Sequence, residues 1–384
     1  MKTLLCVIAA LAFLALPVLA EDVKVTFDGS RLAAGYIDNG KLGNVTPGTF
    51  AVADAKLRIN ATFDADTSAV LRLNFADANL IPVEDYNEDT FDESLNVSSV
   101  FDYAYVKLAN VVKKLAKSDT VNPDIYVGLM KINFGEETWG NNPVENALVQ
   151  NSIGGIAGED IGIEFRQNAL PIELPVVLGY SLSIFNGGST PNDPVTGQVA
   201  GDDNNTKAYC LKVMGQMKSI PLYFSLSQYD SGKLSAGSVS AMGNMPTDIA
   251  GEGKEYIQLY ELNVRYDILE GAQKFDPSKA PLFSDAKGVF RLAYGKGADI
   301  PNNLVRDTTT MMLDGIYNVN KEWYVAFRYS STDDTFDKYT RISIGGGHKL
   351  SDKAILKLDY TTNGEPSDEK IDDDQIALLM TVLW

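Results

Sequence analysis

Short segments that alternate between apolar and polar side chains recur along almost the whole chain, and helical periodicity is scarce. Ala55-Lys-Leu-Arg-Ile-Asn-Ala-Thr-Phe63, Tyr260-Glu-Leu-Asn-Val-Arg-Tyr266 and Trp323-Tyr-Val-Ala-Phe-Arg-Tyr329 are clear cases. In each, one phase is apolar or aromatic and the other is polar or charged. Successive strand residues point to opposite faces, so such a segment separates two media. Charges spaced two apart inside apolar runs suit a wall with lipid on one side and water on the other. A two-sheet sandwich also alternates, but it buries one phase against a second sheet and has little use for so many charges.

The pattern predicts an all-β transmembrane antiparallel β-barrel of about sixteen strands. They are expected near residues 22–38, 49–63, 67–76, 99–112, 123–134, 158–167, 175–186, 206–218, 221–230, 254–268, 287–296, 308–318, 321–331, 338–349, 353–361 and 374–384. Connections alternate in length. Asp64-Ala-Asp66, Lys218-Ser-Ile-Pro221 and Asn318-Val-Asn-Lys321 are short, whereas 77–98, 135–157, 187–205 and 231–253 are long. Short turns on one side and long loops on the other are the parity of an even-numbered barrel with both termini on the short side. The connection 269–286 breaks it by being long.

Both ends predict the compartment. Gln375 to Trp384 alternates up to a terminal aromatic, as the closing strand of an outer-membrane barrel would. Met1-Lys2, the apolar run Leu4 to Leu19 and the small residues Val18 and Ala20 read as a secretory leader over 1–20, leaving 21–384 as one barrel domain. No second apolar run reaches the length of a membrane-spanning helix. The formal charge of −18 argues against a nucleic-acid partner. Of the two cysteines, only Cys210 lies beyond the leader, so neither an intrachain disulfide nor a thiolate metal cluster is expected.

With the apolar phase toward lipid, the other phase faces a lumen. That phase carries the expected pore-lining cations Lys56, Arg58, Arg72, Lys131, Arg166, Lys212, Arg265, Arg291, Arg328 and Arg341, with Lys24 and Lys357. Its acids are Asp28, Asp54, Glu164, Glu261, Asp314 and Asp359. The wall is therefore basic while the outer loops 77–98 and 362–373 are acidic, an arrangement that biases ion passage. Strand 99–112 has no clear phase: Phe101, Tyr103 and Tyr105 share a face with Lys107, which would either meet a neighbouring subunit or snorkel.

The third long connection carries Trp139, Val144, Leu148, Val149 and Ile153, which a loop in water does not need. The expectation is a loop folded into the lumen as a constriction, with Glu136, Glu137, Trp139 and Glu145 facing the basic wall.

Within 124–188, Tyr126-Val-Gly-Leu-Met-Lys-Ile-Asn-Phe134, Glu159-Asp-Ile-Gly-Ile-Glu-Phe165 and Gly179-Tyr-Ser-Leu-Ser-Ile-Phe-Asn-Gly-Gly188 resemble bacterial porins of the phosphate-selective O/P type. The resemblance implies a water-filled homotrimeric channel with an inward-folded third loop. Glu159 stands where that family often has Arg, so general diffusion with mild charge bias is expected, rather than a phosphate site.

The expected function is passive diffusion of small hydrophilic solutes and ions across the outer membrane, with membrane lipid and lipopolysaccharide as surroundings, no cofactor and no enzymatic activity. A plugged barrel serving as a surface receptor or adhesin is the alternative. His348 is expected at the membrane interface, and Cys210 as a small inward-facing filler.

Overall fold

The computed structural model describes residues 23–38, 49–75, 101–117, 120–135, 145–149, 152, 158–189, 206–232, 239–240, 257–271, 273–299, 308–334, 338–364 and 374–384. The expected leader over 1–20 lies outside them. Sixteen antiparallel strands close into a barrel. They are β1 Arg31–Asp38, β2 Thr49–Thr62, β3 Thr67–Asn74, β4 Phe101–Leu108, β5 Asp124–Lys131, β6 Glu159–Gln167, β7 Val176–Phe185 and β8 Ala208–Met217. The second half comprises β9 Leu222–Asp230, β10 Ile257–Ile268, β11 Gly288–Asp299, β12 Thr308–Asn318, β13 Trp323–Asp334, β14 Lys338–Ser351, β15 Ala354–Gly364 and β16 Gln375–Leu383. Each strand pairs with its neighbours in sequence, and β16 pairs with β1 from Ile376↔Asp38 to Leu383↔Arg31. Closure removes the free edges that an open sheet would present in lipid. Trp384 completes the seam: its N–H donates to Ser30 O at 2.9 Å, and its carbonyl accepts from Gly29 N at 2.9 Å.

The alternation read from the sequence is the alternation of the wall. Leu182, Ile184, Leu211, Val213, Leu262, Leu292, Leu313, Val325, Ile344, Leu358 and Leu378 are exposed on the outer phase. Tyr209, Tyr260, Tyr294 and Tyr360 lie on that face toward the long-loop end, and Tyr266, Tyr317, Trp323 and Trp384 toward the short-turn end. Two aromatic belts around an apolar band are the outer surface of a membrane barrel. His348 joins the short-turn belt by stacking on its cross-strand partner Trp323 at 4.3 Å between ring centroids.

Strand β4 differs from expectation in two respects. It ends at Leu108 instead of 112, because Asn110 turns into the left-handed region (φ 56°) and a short helix, α1 Val111–Ala116, follows. Its register with β3 also shifts: Arg72 faces Tyr103, Leu73 faces Phe101, and Asp102 is the extra residue. Such a bulge re-aims a side chain. Asp102 is buried beside Arg72 and Lys56. Tyr103, Tyr105 and Lys107 share the inner phase, across the strand from Arg72, Val70 and Ser68. The aromatic face of this strand is thus the lumen face, and Lys107 pairs with Asp124 at 2.7 Å instead of snorkelling.

Helix α1 is tied to the β2–β3 turn. Lys114 Nζ bonds Asp66 at 2.6 Å and Asn110 Nδ2 donates to the same carboxylate at 2.5 Å. These hydrogen bonds, Lys114 first, hold the Asp66 carboxyl below its ordinary range. A depressed carboxyl contributes its tie above the unfolded value and loses it as pH falls through the folded one. Acidification below the ordinary carboxylate range is therefore expected to speed amide exchange in 111–116 before it reaches the strands. Equal protection of helix and strands throughout that titration would refute the tie.

The long connection 269–286 has a packing role that its sequence conceals. A 3-10 turn at Pro281–Phe283 buries Leu282 completely, and Ala280 and Ala286 are buried beside it. Arg265 anchors the segment through Lys279 O at 2.6 Å, and Ser284 Oγ donates to Asp267 at 2.7 Å. The segment folds against the inner wall at the short-turn end of the barrel.

Candidate functional site

The inner phase of the strands carries most of the charged side chains read onto it from the sequence. Lys212, Arg265, Arg291 and Arg328 are buried on it, and Lys56, Arg58, Arg166 and Arg341 are half-buried. Lys131, expected with them, directly follows the inner-phase Met130 in β5 and so falls on the opposite phase of that strand. Most are paired. Arg72 bonds Asp102, and Lys56 reaches the same carboxylate at 2.9 Å. Arg166 forks onto Glu164 at 2.7 and 2.9 Å, and Arg265 onto Asp267 at 2.8 Å through both nitrogens. Arg291 bonds Asp314 at 2.5 Å, with Arg328 at 3.4 Å on the other oxygen. Arg58 and Arg341 are held by the amide oxygens of Asn60 (2.8 Å) and Asn363 (2.7 Å). Lys131 places its ammonium 6.0 Å from the Tyr103 ring centre. Lys24 and Asp28 are exposed at the short-turn end.

Sequence reading missed Arg31, which bonds Asp54, and the inner-phase acids Asp102, Asp124, Asp160 and Asp267. Counting these with Lys107 and Lys349, and without Lys131, lowers the positive excess of the inner wall from about six to about four, which weakens its field. The charge-to-charge spacing of two along β6 and β10 is the signal that was available: Glu164/Arg166 and Arg265/Asp267 are same-face neighbours and therefore pair.

The end of β5 and the residues just after it pack against side chains of other strands. Met130, Ile132 and Phe134 pack with Phe185, Cys210, Tyr229 and Leu259, all on the inner phase. Cys210 Sγ also lies 3.6 Å from Asn133 O, so the cysteine fills space there as expected. Gly135 N donates to Ser227 Oγ at 2.9 Å, and Lys212 Nζ donates to Gly135 O at 2.6 Å. Gly135 adopts φ +60°, and a Cβ there would collide with the Glu261 carboxylate. Gly135→Ala is expected to loosen this anchor and speed amide exchange at 132–135, and exchange as slow as in the wild type would count against it.

A second contact patch follows at 145–149. Arg328 Nη2 donates to Asn146 Oδ1 at 2.8 Å, Lys357 Nζ donates to Asn146 O at 2.5 Å, and Tyr324 Oη donates to Ala147 O at 2.9 Å. Val149 N donates to Asp359 Oδ2 at 2.6 Å. Leu148 is fully buried among Leu282, Val289, Ile316, Tyr324, Ala326 and Ile355. Glu145 is half-buried next to this patch. Glu136, Glu137 and Trp139 lie outside the described residues.

The two short motifs have a structural meaning. Asp160 Oδ2 accepts from Gly187 N at 2.7 Å, which ties the Glu159-Asp-Ile-Gly strand to the Phe185-Asn-Gly loop entry. Gly162 leaves room for Phe185, whose ring a Cβ at 162 would strike.

No family model and no curated protein matches the sequence. Among solved structures, the fold is similar to the outer membrane channel DcaP of Acinetobacter baumannii, at 11% identity and TM-score 0.59 over 94% of this chain and 97% of that one. The anion-selective porin from Comamonas acidovorans is similar at 12% identity and TM-score 0.55, over 94% of this chain and 100% of that one. The trimer form of OmpT, an outer membrane protein of Vibrio cholerae, is similar at 10% identity and TM-score 0.53, over 94% and 99%. At such identities the likeness concerns architecture, and the chain has the sixteen-stranded barrel fold of bacterial porins.

Proposed function

We propose that this protein is an outer-membrane diffusion channel that passes small hydrophilic solutes and ions as a homotrimer, embedded in lipid and lipopolysaccharide. The observation that carries the reading is a closed barrel with an apolar, belted outer face and a charged inner face, with the chain at 132–135 and 145–149 bonded to that inner face. A charged inner face inside lipid suits the passage of polar solutes. The third loop, in this reading, narrows the lumen, and Glu145 with Glu136 and Glu137 opposes the basic wall there.

Selectivity is mild. Arg72, Arg166, Arg265 and Arg291 are each neutralised by a carboxylate, which speaks against a ladder of free guanidinium groups for phosphate. The remaining positive excess favours anions weakly. Reconstitution of the full chain in planar bilayers tests both points. Stepwise currents with a reversal potential of anionic sign in a salt gradient are expected; cation preference would overturn the charge assignment. A plugged barrel acting as a surface receptor is the second reading, favoured by the complete burial of Arg328, Ser330 and Ser343 on one side of the lumen. Correctly folded trimers that carry no current would establish it and end the channel reading.

A further inference from the structure

Resting on the channel reading, we propose that the inner faces of β4 and β5 form a track for flat organic anions, aromatic carboxylates in particular. Tyr103 and Tyr105 follow one another on the inner phase of β4, with ring centroids 6.4 Å apart. Tyr126 of β5 continues the row, edge-on to Tyr105 at 5.8 Å. The row runs lengthwise, from the long-loop end of β4 toward its short-turn end, so a solute moving through the barrel meets the rings in succession.

Cations flank both ends. At one end the Arg72 guanidinium lies 3.7 Å from the Tyr103 ring centre, with Lys131 at 6.0 Å. Arg72 is itself buried and bonded to Asp102, so it acts on the face of Tyr103 and leaves the solute's carboxylate to the exposed cations of the other end. At the other end, Arg166 and Lys107 lie 4.7 and 5.7 Å from the centre of Tyr126. Their side chains keep 30% and 36% of their surface exposed, unlike the buried arginines of β10 to β13. Arg166 uses Nε and Nη2 on Glu164, which leaves Nη1 for a passing carboxylate.

The rest of the lumen supports the assignment. Tyr105 and Tyr126 pack against the Met130 and Phe134 cluster, which fixes their ring planes. The hydrogen bonds of Gly135 and of 146–149 go to β8, β9, β13 and β15 instead. The tyrosines are only half-buried, so the track faces the space those segments leave. A tyrosine face or edge gives a flat ring a partner at each step, while the cations take its carboxylate. Each contact is weak, which conduction requires: a solute must enter a site and also leave it.

Bilayer recordings in gradients of sodium benzoate or sodium cyclohexanecarboxylate compare a flat anion with one of the same size that is puckered and not aromatic. The benzoate permeability is expected to exceed the other by about 2- to 10-fold, from the usual worth of a ring pair. Tyr105→Leu and Tyr126→Leu are expected to bring the ratio close to one, and Tyr105→Phe to keep it. A ratio near one in wild type, or one unchanged in both leucine variants, overturns the track while leaving the channel reading intact. Loss of all current in wild type would instead end the channel reading. Heat-modifiable gel mobility selects folded variants, and Tyr103→Leu replaces any that does not fold.

Discussion

Asp314→Ala is expected to destabilise the barrel by about 3–5 kcal/mol, the usual cost of removing one partner from a buried ion pair. Asp314 sits on the inner phase of β12, 1% exposed, between Arg291 of β11 and Arg328 of β13. One carboxylate there serves two guanidinium groups that are themselves 9% and 0% exposed. Asp314→Ala strands two positive charges in a space without water enough to solvate them. Asp314→Asn keeps the shape and loses the charge, so it should recover only part of the loss. The urea midpoint of the folded barrel, followed by gel mobility at several temperatures, measures the change. A shift equivalent to less than about 1 kcal/mol would mean that water reaches these groups and that the network is a solvated surface.

The sixteen strands were legible because lipid and water impose a strict period of two, and no other environment asks for charges at that spacing inside apolar runs. The inner face of most strands followed directly, and with it Arg58, Arg72, Arg166, Lys212, Arg265, Arg291 and Arg328. Strand β4 was not legible for a physical reason. Its lumen face is aromatic, so hydrophobicity points the wrong way, and the bulge at Asp102 changes the phase within the strand. The connection 269–286 resisted reading because its one decisive side chain, Leu282, is buried by a tertiary contact that leaves no local periodicity. Pairing was also hidden where it crosses strands: Lys56 and Arg72 meet Asp102 from 46 and 30 residues away. For the third loop, the apolar content of 144–149 signalled a packed segment, and Leu148 is its buried residue. Asn146, which receives two of the bonds that seat it, carries no sequence signal of that role.

Leu148→Asp is expected to release that seat and enlarge the conductance. Leu148 touches the inner wall through Val289, Ile316, Ala326 and Ile355, and the short-turn connection through Leu282. A carboxylate in that apolar cluster would lose its hydration without gaining a partner, a penalty of several kcal/mol. The bonds at Asn146 and Val149 contribute only about 1–3 kcal/mol each and are expected to yield first. The loop segment would then leave the β13 and β15 wall, freeing Arg328, Lys357 and Asp359 to face water. Lumen cross-section and wall charge change together, so a rise in single-channel conductance of about twofold or more should come with a shift in reversal potential. Leu148→Ala separates the two causes. It leaves a cavity worth about 2–5 kcal/mol but no buried charge, so the loop should stay seated and flicker. Noise would then increase with little change in mean current. If Leu148→Asp conducts as wild type does, residues 145–149 do not limit passage, and the constriction lies elsewhere in the lumen.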